Sequence, residues 1–300
     1  MSADLAVIIL TFNEEENIEQ CLRSVCGWAR EVHIIDSFST DRTLEIARRF
    51  QCAAVRHPFE NYADQRNWAL DNLPIQEEWV LFLDADEWLP ETLKEEMAGV
   101  IASNPEENGF YVKRRFIWMG RWIKRGYYPT WILRLFRKGK GRCEQRAVNE
   151  HLIVEGETGQ LKNDFIHEDR KGLAEWTEKH NRYSTLEAER LFRGRGEKEI
   201  EARFSGSQAE RKRWLRYRLY NRLPPLVRPF LYFFYRYVLR GGFLDGREAF
   251  LYHFLHALWV PLLVDAKYLE MARSRTAVNG GEAPAGGASC EQRVRGTAKL

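Results

Sequence analysis

The sequence has few cysteines and lacks the short motifs of several common enzyme classes. Its five cysteines are an odd number and form no C-x-x-C pair, so a zinc site is not expected and a reducing cytoplasm is favoured. No G-x-G-x-x-G follows the first apolar run, which argues against an NAD-type site, and the absence of G-x-x-x-x-G-K-[ST] excludes a P-loop. The first residues, MSADLAVIIL, have no basic segment before the apolar run, so a signal peptide is not expected.

The composition that is present is typical of a globular chain. Of the 300 residues, 44% are hydrophobic and 30% are charged, which argues against a disordered protein. This length corresponds to one large or two small domains with enough chain to bury a core. The formal net charge of +3 is small, but residues 211–240 carry nine Lys and Arg residues and no acid.

Short apolar runs alternate with helical patterns through the first half of the chain. The runs predict strands at residues 5–10, 32–35, 53–55 and 79–83, and apolar spacing predicts helices at 18–27, 43–50 and 63–70. The run at 79–83 has no polar alternation, as expected of a strand buried on both faces. The alternation predicts an α/β fold with a doubly wound, mostly parallel sheet and flanking helices.

Polar residues follow three of these strands at the point where each strand ends. They are Thr11, Asn13 and Glu14 after the first, Asp36 and Ser37 after the second, and Asp84 and Asp86 after the fourth. Ligands of open α/β sheets bind beyond the carboxyl ends of the strands. Neighbouring carboxylates there suit Mg²⁺ or Mn²⁺ with positions open for phosphates, so we expect a divalent cation. The alternative is turn and helix-cap chemistry, with Asn13 capping the first helix and Asp86 or Glu87 capping a later one.

Four segments in order, VIILTFNEEENI, IIDSFSTDRT, YADQRNWAL and WVLFLDADE, resemble the nucleotide-sugar-binding half of glycosyltransferase family 2 enzymes with the GT-A fold. The resemblance covers residues 1–170. It implies a nucleoside pocket, a base contact, a diphosphate contact and a ribose and metal site. The residues implied are Thr11, Asn13 and Glu14 for the nucleoside; Asp36 and Ser37 for the base side; Arg66 for the diphosphate; and Asp84, Ala85 and Asp86 for the ribose and metal.

The segment RAVNEHL, residues 146–152, follows W-x-x-R-L-F and resembles the lipopolysaccharide-core glucosyltransferase-like subgroup of that family. The resemblance implies that Glu150 is the base, although the wider family usually has an E-D pair at this place. A carboxylate takes a proton from an acceptor hydroxyl best where a half-buried site raises its pKa. A surface acid ahead of a strand is the alternative for Glu150. His167 ends a short apolar stretch and is either a third metal ligand, a diphosphate contact or a structural histidine.

Aromatic residues are dense between the two strands predicted at 109–118 and 131–136. Flat rings with polar edges suit stacking on sugars, and they also pack well in cores. The sequence leaves both interpretations open for this group, which comprises Trp118, Trp122, Tyr127, Tyr128 and Trp131.

Residues 211–240 contain many arginines and aromatic residues but no acid. A helix at the interface of an anionic membrane explains both parts, since rings enter the headgroup boundary and each nearby cation contributes about 1 kcal/mol. Nucleic acid is not expected as a partner because no recognised motif accompanies the charges. The remaining alternative is a charged helix face that is simply exposed to solvent. Residues 249–264 fall short of the ~20 residues needed to span a bilayer. They predict a second shallow helix or a buried core helix.

Three regions are therefore expected: a catalytic domain at 1–170, a helical membrane-associating region at 171–272 and a disordered tail at 273–300. The resemblance implies an inverting, metal-dependent transfer from a nucleotide sugar, most simply a UDP-sugar, to a membrane glycolipid. Such an acceptor would be a lipopolysaccharide core or a polyprenyl-linked glycan at the cytoplasmic face of the membrane. The alternatives are a nucleotidyltransferase and a non-catalytic membrane-binding scaffold.

Overall fold

The structure, a computed structural model, describes residues 3–144, 151–193 and 208–280. Its strands are β1 (Ala3–Thr11), β2 (Ala29–Asp36), β3 (Ala53–Arg56), β4 (Trp79–Asp84), β5 (Glu87–Trp88), β6 (Gly109–Trp118), β7 (Arg121–Trp122), β8 (Trp131–Arg137), β9 (Gly141–Cys143), β10 (Leu152–Val154) and β11 (Thr158–His167). Its α-helices are α1 (Ile18–Val25), α2 (Thr43–Arg49), α3 (Tyr62–Asn72), α4 (Glu91–Ala102), α5 (Gly172–Arg193), α6 (Gln208–Arg218), α7 (Arg228–Phe234), α8 (Arg247–His253) and α9 (Val260–Gly280). Short 3₁₀- or π-helical segments lie between the later helices, at Tyr220–Arg222, Tyr235–Leu239, Gly242–Asp245 and Phe254–Trp259.

The central sheet has the strand order β3-β2-β1-β4-β8-β6-β11-β5, with β7 paired to β6. Neighbours β3, β2, β1 and β4 are parallel, β8 runs antiparallel between β4 and β6, and β11 is parallel to β6. Along this order every strand except β8 and β5 therefore points the same way. The predicted mostly parallel α/β sheet with flanking helices is confirmed. The antiparallel position of β8 was not predicted.

Strand β1 lies at the centre because both of its faces are apolar. Leu5, Val7 and Ile9 face the layer formed with α1, α2 and α4, and Ile8 and Leu10 face the layer formed with α3. A strand covered on both sides needs no alternation of polar residues, and β4 follows the same rule. The two helix layers bury the sheet while leaving the ends of its strands accessible.

Two predicted helix caps are wrong. Helix α1 begins at Ile18 with Asn17 at the N-cap position, and Asn13 instead has a left-handed backbone with φ 51°. Helix α4 begins at Glu91 with Pro90 at its N-cap position, so neither Asp86 nor Glu87 is a cap. The sequence rule fails here because both loops continue past the predicted cap residue before the helix starts.

The C-terminal helices pack against the carboxyl end of β6 through a cluster of aromatic residues. Phe116 and Trp118 of β6 join Trp176 of α5 and Tyr252 of α8 in this cluster, which we call the seam cluster. Trp118 is 8% exposed, so most of its surface packs in this cluster. The catalytic sheet and the C-terminal helices share a buried boundary.

Helix α9 is longer than the sequence predicts. Residues 273–280 continue the helix to Gly280, so the prediction of a disordered tail from residue 273 is wrong for those residues, and residues 281–300 lie outside the described ranges. The helical run Arg247–Ser274 is long and apolar enough to cross a membrane by length and composition. Core helices of water-soluble proteins can share this property.

Candidate functional site

The ends of β1 and β2 hold a fixed carboxylate. Thr11 pairs with Asp36 in the strand register, and its hydroxyl donates to Asp36 Oδ1 at 3.1 Å. The backbone N–H of Ser39 donates to Asp36 Oδ2 at 3.0 Å, and its hydroxyl donates to Oδ1 at 2.5 Å. Ser37 accepts a hydrogen bond from Gln65 at 2.5 Å. Asp36 is fully buried, so these bonds set the position of its oxygens.

The loop after β1 is tied to the loop after β2. The backbone N–H of Asn13 donates to Ser39 Oγ at 2.9 Å, and its side-chain oxygen accepts from the Thr40 N–H at 2.8 Å. The left-handed backbone of Asn13 is one that asparagine tolerates better than most residues. The two loops therefore form one wall at the end of the sheet.

Glu14 faces the centre of the site from this wall. Its carboxylate accepts hydrogen bonds from Lys171 at 2.6 Å and Asn17 at 2.8 Å. Burial and the nearby Asp86 charge raise the pKa of Glu14 to about 7, against the opposing effects of Lys171 and Asn17. Glu14 is thus close to Asp86 in electrostatic terms and titrates near neutral pH.

Asp84 lies between two guanidinium groups. Arg66 donates to its Oδ1 and Arg134 to its Oδ2, each at 2.8 Å. Although burial acts in the opposite direction, the charges of Arg134 and Arg66 hold the pKa of Asp84 well below its usual range. Ala85 follows with its side chain buried in the core at 3% exposure. Asp84 therefore stays ionised at any physiological pH.

A possible metal-ligand group lies next to Asp84. Asp86, Glu87 and His167 offer ligand atoms that all lie within 4.8 Å of one another. The Nε2 of His167 is 3.5 Å from Asp86 Oδ2, and its Nδ1 is 3.5 Å from Glu87 Oε1. The antiparallel pairing of β11 with β5 sets this arrangement, since His167 is directly opposite Glu87 in the register.

The donor set fits a divalent cation. Two carboxylates and an imidazole are ligands that Mn²⁺ accepts, and carboxylates suit Mg²⁺. The buried Nδ1 of His167 has no hydrogen-bond partner within the described ranges. Burial raises the pKa of Asp86, with Glu87 and Asp84 adding to the effect and His167 and Lys179 opposing it. Burial therefore disfavours the charged form of Asp86, and a bound cation would favour that form.

The predicted base, Glu150, lies outside the described residues, which stop at Glu144 and resume at His151. Those two residues contact each other. The backbone N–H of His151 donates to Glu144 Oε1 at 3.0 Å, and the His151 ring lies 3.1 Å from the same oxygen. The two ends of the segment that carries Glu150 are thus close together.

Sequence reasoning missed several charged residues of this site. Arg134 bonds Asp84 and also donates to Glu87 at 2.5 Å, and its signal was a single charge inside the apolar run WILRLF. Lys171 and Lys179 come from the start of α5 and the loop before it, where nothing in the sequence points to the site. Burial acts to lower the pKa of Lys179, yet nearby anions, Asp86 foremost, raise it.

Several known proteins are similar to this chain. The family model described as "Glycosyl transferase family 2" matches residues 6–151. The lipopolysaccharide core biosynthesis glycosyltransferase LpsC of Rhizobium meliloti is 32% identical over 197 residues, covering 62% of this chain and 70% of LpsC. An uncharacterized glycosyltransferase of Rickettsia typhi, RT0209, is 29% identical over 45% of this chain and 46% of its own length. Among solved structures, S. aureus TarS residues 1–349 align with 93% of this chain and 92% of that chain, at 18% identity and a TM-score of 0.42.

The sheet topology and the LpsC match define the chain as a glycosyltransferase enzyme. It belongs to glycosyltransferase family 2. The alternatives of a nucleotidyltransferase and a non-catalytic scaffold are therefore set aside.

Proposed function

We propose that this enzyme transfers a sugar, with inversion, from a UDP-sugar to a membrane glycolipid of the lipopolysaccharide-core type. One observation carries the proposal. Asp86, Glu87 and His167 gather within 4.8 Å of one another beside the strand ends that hold Asp36 and Asp84. The name of the relative LpsC supports the choice of acceptor.

Asp86 and His167 would hold Mg²⁺ or Mn²⁺, with Glu87 next to them. Such an ion, when bound, offsets the charge that develops on the leaving diphosphate. The fixed oxygens of Asp36 accept hydrogen bonds from the nucleoside, with Thr11 holding them in place. Arg66 adds positive charge on the diphosphate side, while its bond to Asp84 keeps that carboxylate oriented toward the ribose.

Glu150 is the proposed base. It would take the proton of the acceptor hydroxyl while the hydroxyl oxygen bonds to the anomeric carbon. The bond from that carbon to the diphosphate oxygen breaks on the opposite face, and the configuration inverts. This role depends on the family resemblance.

A surface suited to a membrane supports the glycolipid acceptor. Between residues 226 and 254 many large apolar side chains are exposed, and contiguous patches of this kind mark interaction sites. They are Leu226, Val227, Phe230, Leu231, Phe234, Tyr235, Val238, Leu239, Phe243, Leu244, Phe250, Leu251 and Phe254, and we call them the apolar surface. Exposed Arg240 and Arg247 lie in the same stretch and exposed Arg222 lies just before it, which suits an anionic headgroup layer.

Two of the arginines that the sequence assigned to lipid contact are instead buried. Arg228 pairs with buried Asp265, and Arg236 donates to the Gly126 carbonyl at 2.9 Å. Arg228 therefore joins α7 to α9, and Arg236 joins the C-terminal region to the loop between β7 and β8. Docking at the cytoplasmic face of the membrane would therefore depend on the apolar surface and on the exposed arginines beside it.

The metal role is tested with Asp86→Asn. Removing a charged ligand should lower transfer at least ~100-fold, the size of loss seen when one group that stabilises developing charge is removed. It should also abolish the rise in Tm that UDP and Mn²⁺ together produce in the wild-type enzyme. Asp71→Asn is the matched control, because Asp71 is an exposed acid that pairs with Arg142 at the surface. Full transfer after exhaustive EDTA dialysis would contradict the proposal.

A further inference from the structure

A pocket of about 340 Å³ opens beyond the ends of β6 and β11. It is lined by Trp118, Met119, Gly120, Glu168, Asp169, Arg170, Gly172, Leu173 and Trp176. Its volume lies near the lower end of the ~300–1,000 Å³ typical of small-molecule sites. The backbone N–H of Glu168 donates to the carbonyl oxygen of Asp86 at 3.0 Å. One wall of the pocket is therefore continuous with the loop that carries the proposed metal ligands.

Two tryptophans form the apolar part of this pocket. The rings of Trp118 and Trp176 meet edge to face with centroids 5.3 Å apart. Stacking of His180 on Trp176, with centroids 3.7 Å apart, fixes that ring from another side. The indole N–H of Trp118 is itself buried, so the two tryptophans offer ring surface to the pocket. An aromatic wall of this kind suits a ligand that has an apolar face.

The polar part of the pocket has more negative than positive charge. Arg170 donates to Glu168 Oε2 at 3.1 Å, and Asp169 accepts from Asn17 at 3.2 Å. Glu168, Asp169 and Arg170 together contribute one net negative charge. Hydroxyl groups of a neutral ligand can donate to these carboxylates. Lys171 and Lys179, whose charges act on Asp169, do not line the pocket.

We propose that this pocket binds an uncharged pyranose ring of the acceptor. The proposal rests on the proposed function and adds to it where the acceptor lies and which class of sugar it presents. A ring held here lies beside the Asp86 loop, on the side of the sheet away from β2 and β3. The nucleoside would occupy the ends of β1 and β2, so donor and acceptor approach the metal-ligand group from different sides.

The test fills the pocket without touching its tryptophans. Leu173 lines the pocket and is 49% exposed, so Leu173→Trp should fold normally while occupying the space for the ring. Leu186→Trp is the matched control, because Leu186 is a similarly exposed leucine, 42% exposed, on the same helix outside the pocket. We expect Leu173→Trp to raise the acceptor KM at least tenfold with membrane glycolipid extract. The UDP- and Mn²⁺-dependent rise in Tm should stay unchanged in both variants.

A second variant tests the polar wall. Glu168→Gln keeps the side-chain size and should raise the acceptor KM with little change in kcat. Saturation-transfer NMR with methyl glucoside and with glucuronate tests the charge preference directly. The neutral ring should give signals that Leu173→Trp removes, and glucuronate should give weaker ones.

The outcomes separate the two proposals. If Leu173→Trp has the acceptor KM of the wild-type enzyme, or if glucuronate binds as well as methyl glucoside, the pocket proposal is overturned. If the wild-type enzyme shows neither transfer nor a UDP-dependent rise in Tm, the proposed function itself fails and the acceptor role fails with it.

Discussion

Arg134 is the residue on which the buried charges of the site converge. Its guanidinium contacts Asp84 and Glu87, and its side chain is 7% exposed while that of Glu87 is fully buried. Although burial acts to lower it, the two carboxylates raise the pKa of Arg134. Removing one partner of a buried ion pair leaves an uncompensated charge, which is far more costly than losing a pair at the surface.

Arg134→Gln should therefore lower the free energy of unfolding by about 3 kcal/mol, the lower end of the range for breaking a buried pair. Urea unfolding measures this. Arg142→Gln is the control, since Arg142 also makes two bonds to a carboxylate, that of Asp71, but both side chains are about half exposed. Its loss should stay below about 1 kcal/mol. Equal losses for the two variants would show that burial does not control the energy of the Arg134 pairs.

At the scale of elements, the sequence predicts those parts of the fold that repeat a simple pattern. The apolar runs of β1 and β4 and the apolar spacing of α1 are local signals. The runs are typical of strands buried on both faces, and the spacing is typical of a helix buried on one face. The position of β8 depends on which strand edges remain open after β4 forms, and no local pattern encodes that. Asn13 was mistaken for a cap because a cap residue and a left-handed turn favour the same residue types.

The site also has parts that the sequence predicts and parts that it does not. The ends of β1, β2 and β4 could be predicted because parallel strands bring their carboxyl ends together, as Thr11 and Asp36 show. The meeting of His167 with Glu87 could not, since it requires the β5–β11 pairing across a long stretch of chain. Arg134 carried a weak signal as a charge inside an apolar strand, and Lys179 carried none.

The apolar surface is an element-scale feature with a direct test. Phe230 and Phe234 lie one helical turn apart on α7 and are 53% and 50% exposed. Replacing both with Asp should weaken binding to vesicles of mixed anionic and neutral phospholipid by roughly tenfold or more, because burying one such ring contributes about 1.5–3 kcal/mol. Flotation of the enzyme with vesicles measures the bound fraction.

The control for that experiment is Phe59→Asp, a phenylalanine of similar exposure, 49%, outside the apolar surface. It should leave vesicle binding unchanged, and the thermal stability of all variants without lipid should stay close to that of the wild-type enzyme. Unchanged flotation of the Phe230 and Phe234 double variant would contradict membrane docking through this surface.

At the scale of the whole molecule, the seam cluster joins the catalytic sheet to the C-terminal helices. Tyr252 is 2% exposed, and its ring centroid lies 4.8 Å from that of Phe116 and 5.5 Å from that of Trp118. Arg236 lies over the same tyrosine ring at 5.5 Å. Because this boundary is packed like a core, docking of the helices on a membrane would also orient the sheet end and the pocket relative to the lipid.

Histidines near this boundary make the stability of the whole chain sensitive to acid. Burial lowers the pKa of His180 to about 4, with Lys179 adding to the effect and a hydrogen bond to the Trp176 carbonyl opposing it. Burial and the Arg236 charge likewise lower the pKa of His253 to about 4. The usual histidine pKa is 6.5, so between pH 6.5 and 4 the unfolded chain binds protons that the folded chain does not. The two neutral histidines therefore do not reduce the free energy of unfolding above pH 6.5. Below pH 6.5 that free energy decreases as the pH falls through this window.

The contribution of His180 to this pH dependence of stability is isolated by comparing the wild-type enzyme with His180→Gln. Glutamine does not titrate, while the carboxyl groups and His253 remain in both proteins and cancel in the difference. The variant should be the less stable protein at pH 7, because it loses the stacking on Trp176. The gap in unfolding free energy should then narrow steadily from pH 6.5 to pH 4.5, since only the wild-type enzyme pays the cost of keeping His180 neutral. Urea unfolding at several pH values measures the gap, and a gap that stays constant would show that His180 is protonated in the folded enzyme as readily as in the unfolded chain.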